Sequence, residues 1–294
     1  LSAAEVVGSI VDADEAAVAL QQIAGALREV SDSGQAARLH QLGHEVRRAH
    51  RLPARRVPTA LRGDMQRAAM DAVARGVARE MAFCTRPRKA AVLPDQVVWV
   101  TTPVRLDFAG GWSDTPPICT DLGGAVVNAA ITLNGQYPVQ VMAKLTDTRG
   151  ITLRSIDQQR RTRITTAAQA NDFADPSRWD ALPRAALVLA GLAPHDSRAS
   201  LKPWLDALGG GLDITLFSAV PKGSGLGTSS VLGAAMLACL ARIVGEQVTT
   251  DQLIARTSML EQLMTTGGGW QDQVGGITPG VKVVRRQPGG DQTP

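Results

Sequence analysis

The stretch PKGSGLGTSS, residues 221–230, constrains the fold more than any other part of the chain. It sets three glycines and a cluster of hydroxyl residues between two apolar runs. Ahead lies DITLFSAV at 213–220, rich in β-formers, and behind lies SSVLGAAMLACLARIV at 229–244, apolar on every helical face. The glycines therefore sit at a strand-to-helix junction. The first turn of a helix has unpaired N–H groups and the positive end of the helix dipole, so this junction favours a polyphosphate. Glycine lets backbone approach that closely and takes up positive φ without strain. A plain turn that binds nothing is the alternative.

Spacing narrows the choice. A P-loop needs GxxxxGK followed by Ser or Thr, but Lys222 comes before the first glycine. A dinucleotide fingerprint needs GxGxxG, whereas Gly223, Gly225 and Gly227 read GxGxG. The acids nearest the required offset, Glu246 and Asp251, fall in a loop after the helix. A Walker-type NTPase and a dehydrogenase are both disfavoured.

With 44 % hydrophobic but only 3 % aromatic residues, the core must be built from Ala, Val, Leu and Ile. The net charge is +4 and no basic stripe is interleaved with aromatics, which argues against nucleic acid as a partner. The five arginines within 47–56 read as a solvated helix end or linker. Cys84, Cys119 and Cys239 are odd in number and far apart, the pattern of reduced thiols in a cytoplasmic protein. The longest apolar helix is interrupted by Arg242 and too short for a bilayer, so no membrane association is expected.

The texture divides the chain in two. Residues 1–96 are rich in Ala, Leu, Arg, Glu and Gln and predict a helical linker segment of two or three helices, broken at 31–34 and 53–58. From Val97 to residue 294 the fold class is α+β, a mostly antiparallel or mixed sheet with packed helices. Strands are predicted within 97–111, 125–133, 137–145 and 150–156, and helices at 181–192, 201–208, 229–244 and 250–264, the last capped by Thr249 or Thr250. The run TTGGGWQDQVGGITPGVKVVRR, 265–286, reads as a glycine-dense loop leading into a short strand.

Three glycine loops carry different chemistry. The first, PVRLDFAGGWSDTPP at 103–117, holds Arg105, Asp107, Trp112, Ser113 and Asp114. A carboxylate accepts sugar hydroxyls and an indole offers a flat apolar face, so this is a candidate sugar-binding edge; a tight turn capped by Asp114 is the alternative. The second is the cradle. The third holds Asp272, eleven positions after Glu261 near the end of the preceding helix.

PKGSGLGTSS resembles the second motif of the GHMP small-molecule kinases, Pro-x-x-Gly-x-Gly-x-Gly-Ser-Ser, with Thr228 in place of its first hydroxyl residue. Within that family, AGGWSDTPPICTDLGGAVVNAAI and TTGGGWQDQVGGITPGVK are similar to L-fucose kinases, including the kinase half of the bifunctional enzymes that also carry a nucleotidyltransferase. The resemblance covers 97–290 and implies an N-terminal GHMP domain, like domain 2 of ribosomal protein S5, with most of the second GHMP domain absent.

It also implies roles. Pro221, Lys222, Gly223, Ser224, Gly225, Leu226, Gly227, Thr228 and Ser229 would hold the ATP phosphates, and Ser229 and Glu261 the Mg²⁺. Asp272 would be the base toward the sugar hydroxyl, with Arg105 beside it offsetting charge, and Trp112 and Asp114 would contact L-fucose. A heptose 7-phosphate kinase shares the AGG-x-x-D-x-PP loop but is disfavoured by Trp112 and WQDQ. A catalytically silent binding fragment is the alternative from another class.

Overall fold

The computed structural model describes residues 3–31, 33–65, 68, 72, 83–115, 119, 122–221, 223–264 and 269–287. The chain opens with α1 (Ala3–Ser9), α2 (Ala13–Glu29) and α3 (Ser33–Ala49), followed by 3-10 turns at Ala54–Arg56 and Thr59–Leu61. Asp12 starts α2 by accepting the N–H groups of Asp14 and Glu15 at 2.8 and 2.9 Å. Ala16, Leu20, Ile23 and Ala24 repeat at helical spacing and form one buried stripe. That stripe packs with Val46, Leu52, Val57, Leu61 and Met65 into a core of its own.

Two sheets follow. A five-stranded mixed sheet has the order β1-β4-β7-β5-β6, formed by β1 (Val97–Thr102), β4 (Val139–Thr146), β7 (Gly211–Ser218), β5 (Gly150–Ser155) and β6 (Arg160–Ile164). Its pairs are antiparallel except β5 with β7, which run parallel. A three-stranded antiparallel sheet has the order β2-β3-β8, from β2 (Val104–Ala109), β3 (Gly124–Ile131) and β8 (Val281–Arg286). Pro103 has no N–H for a ladder, and at that residue the chain leaves the first sheet for the second.

Helices α4 (Ala167–Ala170), α5 (Ala181–Leu189) and α6 (Lys202–Ala207) join β6 to β7, and α7 (Thr228–Ile243) and α8 (Thr250–Leu263) follow β7. The all-round apolar character of α7 has a structural cause, since it packs against β1 and β4 as well as α5 and α8. Ala235, Met236, Cys239, Leu240 and Ile243 of α7 join Val141, Ile151, Leu153 and Ile214 of the sheet in the main core. Residues 83–96, which sequence texture grouped with the helical segment, rest on this core through Phe83, Ala90 and Val92. Arg88 secures them by pairing with Glu246 at 2.7 Å.

One expectation is corrected. Residues 271–277 of the glycine-dense run are not loop but a helix, α9 (Gln271–Ile277). The glycines there serve close packing: a Cβ on Gly276 would lie 2.3 Å from Val231, and one on Gly275 would lie 2.8 Å from Asn128 Nδ2. Glycine density at this position reflects crowding rather than flexibility.

Candidate functional site

The site is built where β7 hands over to α7. Gly223, Gly225 and Gly227 all have positive φ, at 81°, 74° and 67°. Left-handed glycines alternating with ordinary residues turn successive amides toward one concave side, the geometry of an anion nest. Gly227 is the N-cap of α7 and brings no capping side chain, so the amides of the first turn face outward unclaimed by one. The loop turns on Ser224 N–H to Pro221 C=O at 3.2 Å, and Ser224 and Thr228 share a hydroxyl contact of 3.5 Å. Lys222 lies outside the described residues.

Strand β2 places the first charged partner. Arg105 donates its backbone N–H to Leu226 C=O at 3.1 Å, tying the glycine loop to β2. Its guanidinium, almost wholly buried, forms an ion pair and a hydrogen bond with Asp272 in the first turn of α9. Both side chains stand directly against the loop, because a Cβ on Gly227 would lie 2.9 Å from Arg105 Cγ and 3.3 Å from Asp272 Cγ. Residues 105, 227 and 272 thus meet at one point although the sequence spreads them over more than half the chain.

Helix α8 brings the second carboxylate. Glu261 is buried and accepts from Ser230 Oγ and, at 2.5 Å, from Gln273 Nε2. Burial above all pushes its carboxyl up to about 8, against the pull of the two donors. The hydroxyl bonded to Glu261 belongs to Ser230, whereas Ser229, expected with Glu261 as a ligand of Mg²⁺, is exposed and lines the cavity.

The sugar-loop residues separate. Asp114 is fully buried, and its two oxygens accept from Gln271 N–H and Gln271 Nε2, each at 2.9 Å. Its pKa is raised, chiefly by burial. Trp112 instead stands 77 % exposed with φ of 72°, an uncommon conformation for a bulky residue. Ser113 fastens the loop to β3 by exchanging hydrogen bonds with Ala125 at 3.1 and 3.2 Å.

Consecutive residues of α9 therefore reach three different elements: Gln271 the Gly-Gly loop, Asp272 β2, and Gln273 α8. Sequence reasoning missed Ser230, Gln271 and Gln273. The only signal for them was their adjacency to residues that were singled out. A cavity of about 290 Å³ opens at this hub, with Ser224, Thr228, Ser229 and Asp272 among its polar lining and Trp179, Leu182, Phe217 and Val220 among its apolar lining.

The site of this α+β fold is thus a glycine nest at a strand-to-helix junction, with an Arg–Asp pair pressed against it and a cavity before it, a geometry that suits an anionic ligand. Residues 198–279 match the family model described as the GHMP kinases N terminal domain. An L-fucokinase/L-fucose-1-P guanylyltransferase of Bacteroides fragilis is 46 % identical over 209 residues, 70 % of this chain and 22 % of the relative. A bifunctional fucokinase/GDP-fucose pyrophosphorylase of Arabidopsis thaliana is 38 % identical over 195 residues, 65 % of this chain and 17 % of the relative. Residues 198–279 are thus a GHMP kinase N-terminal domain, and about two thirds of the chain is similar to these bifunctional fucokinases. It spans about a fifth of the length of the curated relatives it matches. Among solved structures, a D-glycero-D-manno-heptose 1-phosphate kinase from Bacteroides thetaiotaomicron is 22 % identical, with a TM-score of 0.48 over 65 % of this chain and 56 % of that one.

Proposed function

We propose that the protein is a sugar kinase that transfers the γ-phosphoryl group of ATP to the anomeric hydroxyl of L-fucose, giving L-fucose 1-phosphate. The observation that carries this reading is the Arg105–Asp272 pair packed against Gly227 of the glycine nest. It puts a carboxylate and a cation beside the amides that suit terminal phosphates. The names of the two curated relatives favour L-fucose as acceptor and a longer polypeptide with a nucleotidyltransferase as the setting.

The roles follow from position. The amides of residues 223–228 take the phosphate oxygens, and the apolar wall around Trp179 and Phe217 accommodates a flat heterocycle. Asp272 accepts or orients the proton of the attacking hydroxyl, while Arg105 offsets charge that builds in the transfer. Phosphoryl transfer relies on positioning and charge stabilisation, so this small set suffices. Mg²⁺ suits the oxygen donors of Ser229 and Glu261. Bound there, Mg²⁺ would screen the phosphate charge.

Release of ADP with L-fucose, measured for the chain and for Asp272→Asn, tests the reading. Turnover should fall at least about 100-fold in the variant; equal activity of the two removes Asp272 from the mechanism. Calorimetric titration that finds MgATP bound without turnover on any sugar supports a silent binding fragment instead.

A further inference from the structure

Helix α9 carries Asp272, and although Thr278 N–H closes its last turn on Val274 C=O at 3.0 Å, other backbone groups at both ends are met from other elements. At the N-terminus Trp270 makes no side-chain cap bond, and the acceptor comes from Asp114 in the Gly-Gly loop, which takes the Gln271 N–H at 2.9 Å. At the C-terminus the carbonyl of Gly275 would ordinarily accept from the N–H four residues on. Residue 279 is proline and has no N–H. Proline also drives the residue before it out of helical ψ, and Thr278 is accordingly extended at ψ 128°.

Lys282 of β8 supplies the missing donor. Its Nζ donates to Gly275 C=O at 2.8 Å and to Gly280 C=O at 3.1 Å. A cation at this end also opposes the negative pole of the helix, as the Asp114 carboxylate opposes the positive one. The register of the three-stranded sheet sets Lys282 beside Asn128 of β3. Asn128 is fully buried and donates from Nδ2 to Gln271 C=O at 3.4 Å. Two neighbouring strands thus hold the two ends of α9. Burial lowers the pKa of Lys282, which fits an amine withdrawn from water toward these carbonyls.

We propose that Lys282 is a positioning residue for Asp272: by capping α9 from β8 it fixes where the carboxylate stands against Gly227 and the glycine nest. The inference rests on the kinase reading above. A helix of seven residues is far below the length that persists in isolation, so its placement is set by what holds it. Arg105 is anchored independently through Leu226 C=O. Slack in α9 would therefore move Asp272 relative to both Arg105 and the loop, and a misplacement of about 1 Å can cost on the order of 100-fold in rate.

The test compares the full chain, Lys282→Met, and Lys282→Met combined with Pro279→Ala, which restores an N–H at the position that Gly275 C=O needs. Lys282→Met should lower kcat about 10-fold while the KM values for ATP and L-fucose stay within about twofold. The added Pro279→Ala should recover most of that loss. In parallel, amide hydrogen exchange should quicken at least about 10-fold in α9 and not in α7. Unchanged kcat in an active chain overturns the proposal, as does a rise in KM without a fall in kcat. Unchanged exchange in α9 overturns it whatever the turnover. Absence of turnover by the unaltered chain on any sugar instead overturns the kinase reading, and the cap is then upheld or rejected by exchange alone.

Discussion

At the scale of single residues, the site sets two carboxylates in opposed surroundings. Asp272 faces the cavity with a guanidinium at its side, whereas Glu261 is buried behind it with Ser230 and Gln273 as donors. The raised carboxyl of Glu261 has a consequence for stability. The folded state keeps a proton that the unfolded chain releases near the ordinary value of 4.5, so stability falls as pH rises from there to about 8 and then levels. Glu261→Gln should flatten that decline when unfolding by urea is followed between pH 5 and 8 without divalent metal. A wild-type curve already flat over the same interval would contradict the burial argument. The glycines at 223, 225 and 227 were legible in the sequence because their chemistry is local to one motif, whereas the nearness of Arg105 to Asp272 was expected only from the resemblance to the kinases. The contact of Ser230 with Glu261 was not, because it depends on the rotation of α7 against α8, which packing fixes.

At the scale of elements, most strands and the long helices of the sheet region followed from periodicity and caps. Helix α8 begins where Thr249 accepts from Gln252 N–H at 3.3 Å, while the Gln252 side chain returns to Thr249 N–H at 3.0 Å. Thr249→Ala should cost about 1 kcal/mol, seen as a lower Tm, and turnover should stay near normal because Glu261 lies three turns away. A loss of activity larger than the loss of stability would mean that the start of α8 helps to place Glu261. Helix α9 was misread because its sequence offers no cap and four glycines or prolines within ten residues. Its ends are braced by Asp114, Asn128 and Lys282, which lie on other elements. Strand β6 and the parallel pairing of β5 with β7 were also hidden, since pairing partners far apart leave no mark on local pattern.

At the scale of the whole molecule, the two largest apolar clusters among the described residues are separate. The N-terminal helices close around Leu20, which is fully buried, and the sheets close around α7. Leu20→Ala should destabilise the first core by about 2–5 kcal/mol and speed hydrogen exchange in α2 and α3. MgATP affinity, measured by calorimetry, should stay unchanged; a parallel loss of affinity would show that the two cores are energetically one. The sequence by itself determined the strand-to-helix cradle, the apolar spine behind it and the order of three chemical motifs, because backbone preference and periodicity are written in neighbouring residues. Only the tertiary structure decided that Asp272 rides a short helix braced from other elements, that Asp114 faces inward, and that Ser230 meets Glu261. Those outcomes depend on which distant groups a buried donor or acceptor can reach, and an unpaired one is too costly to leave to local preference.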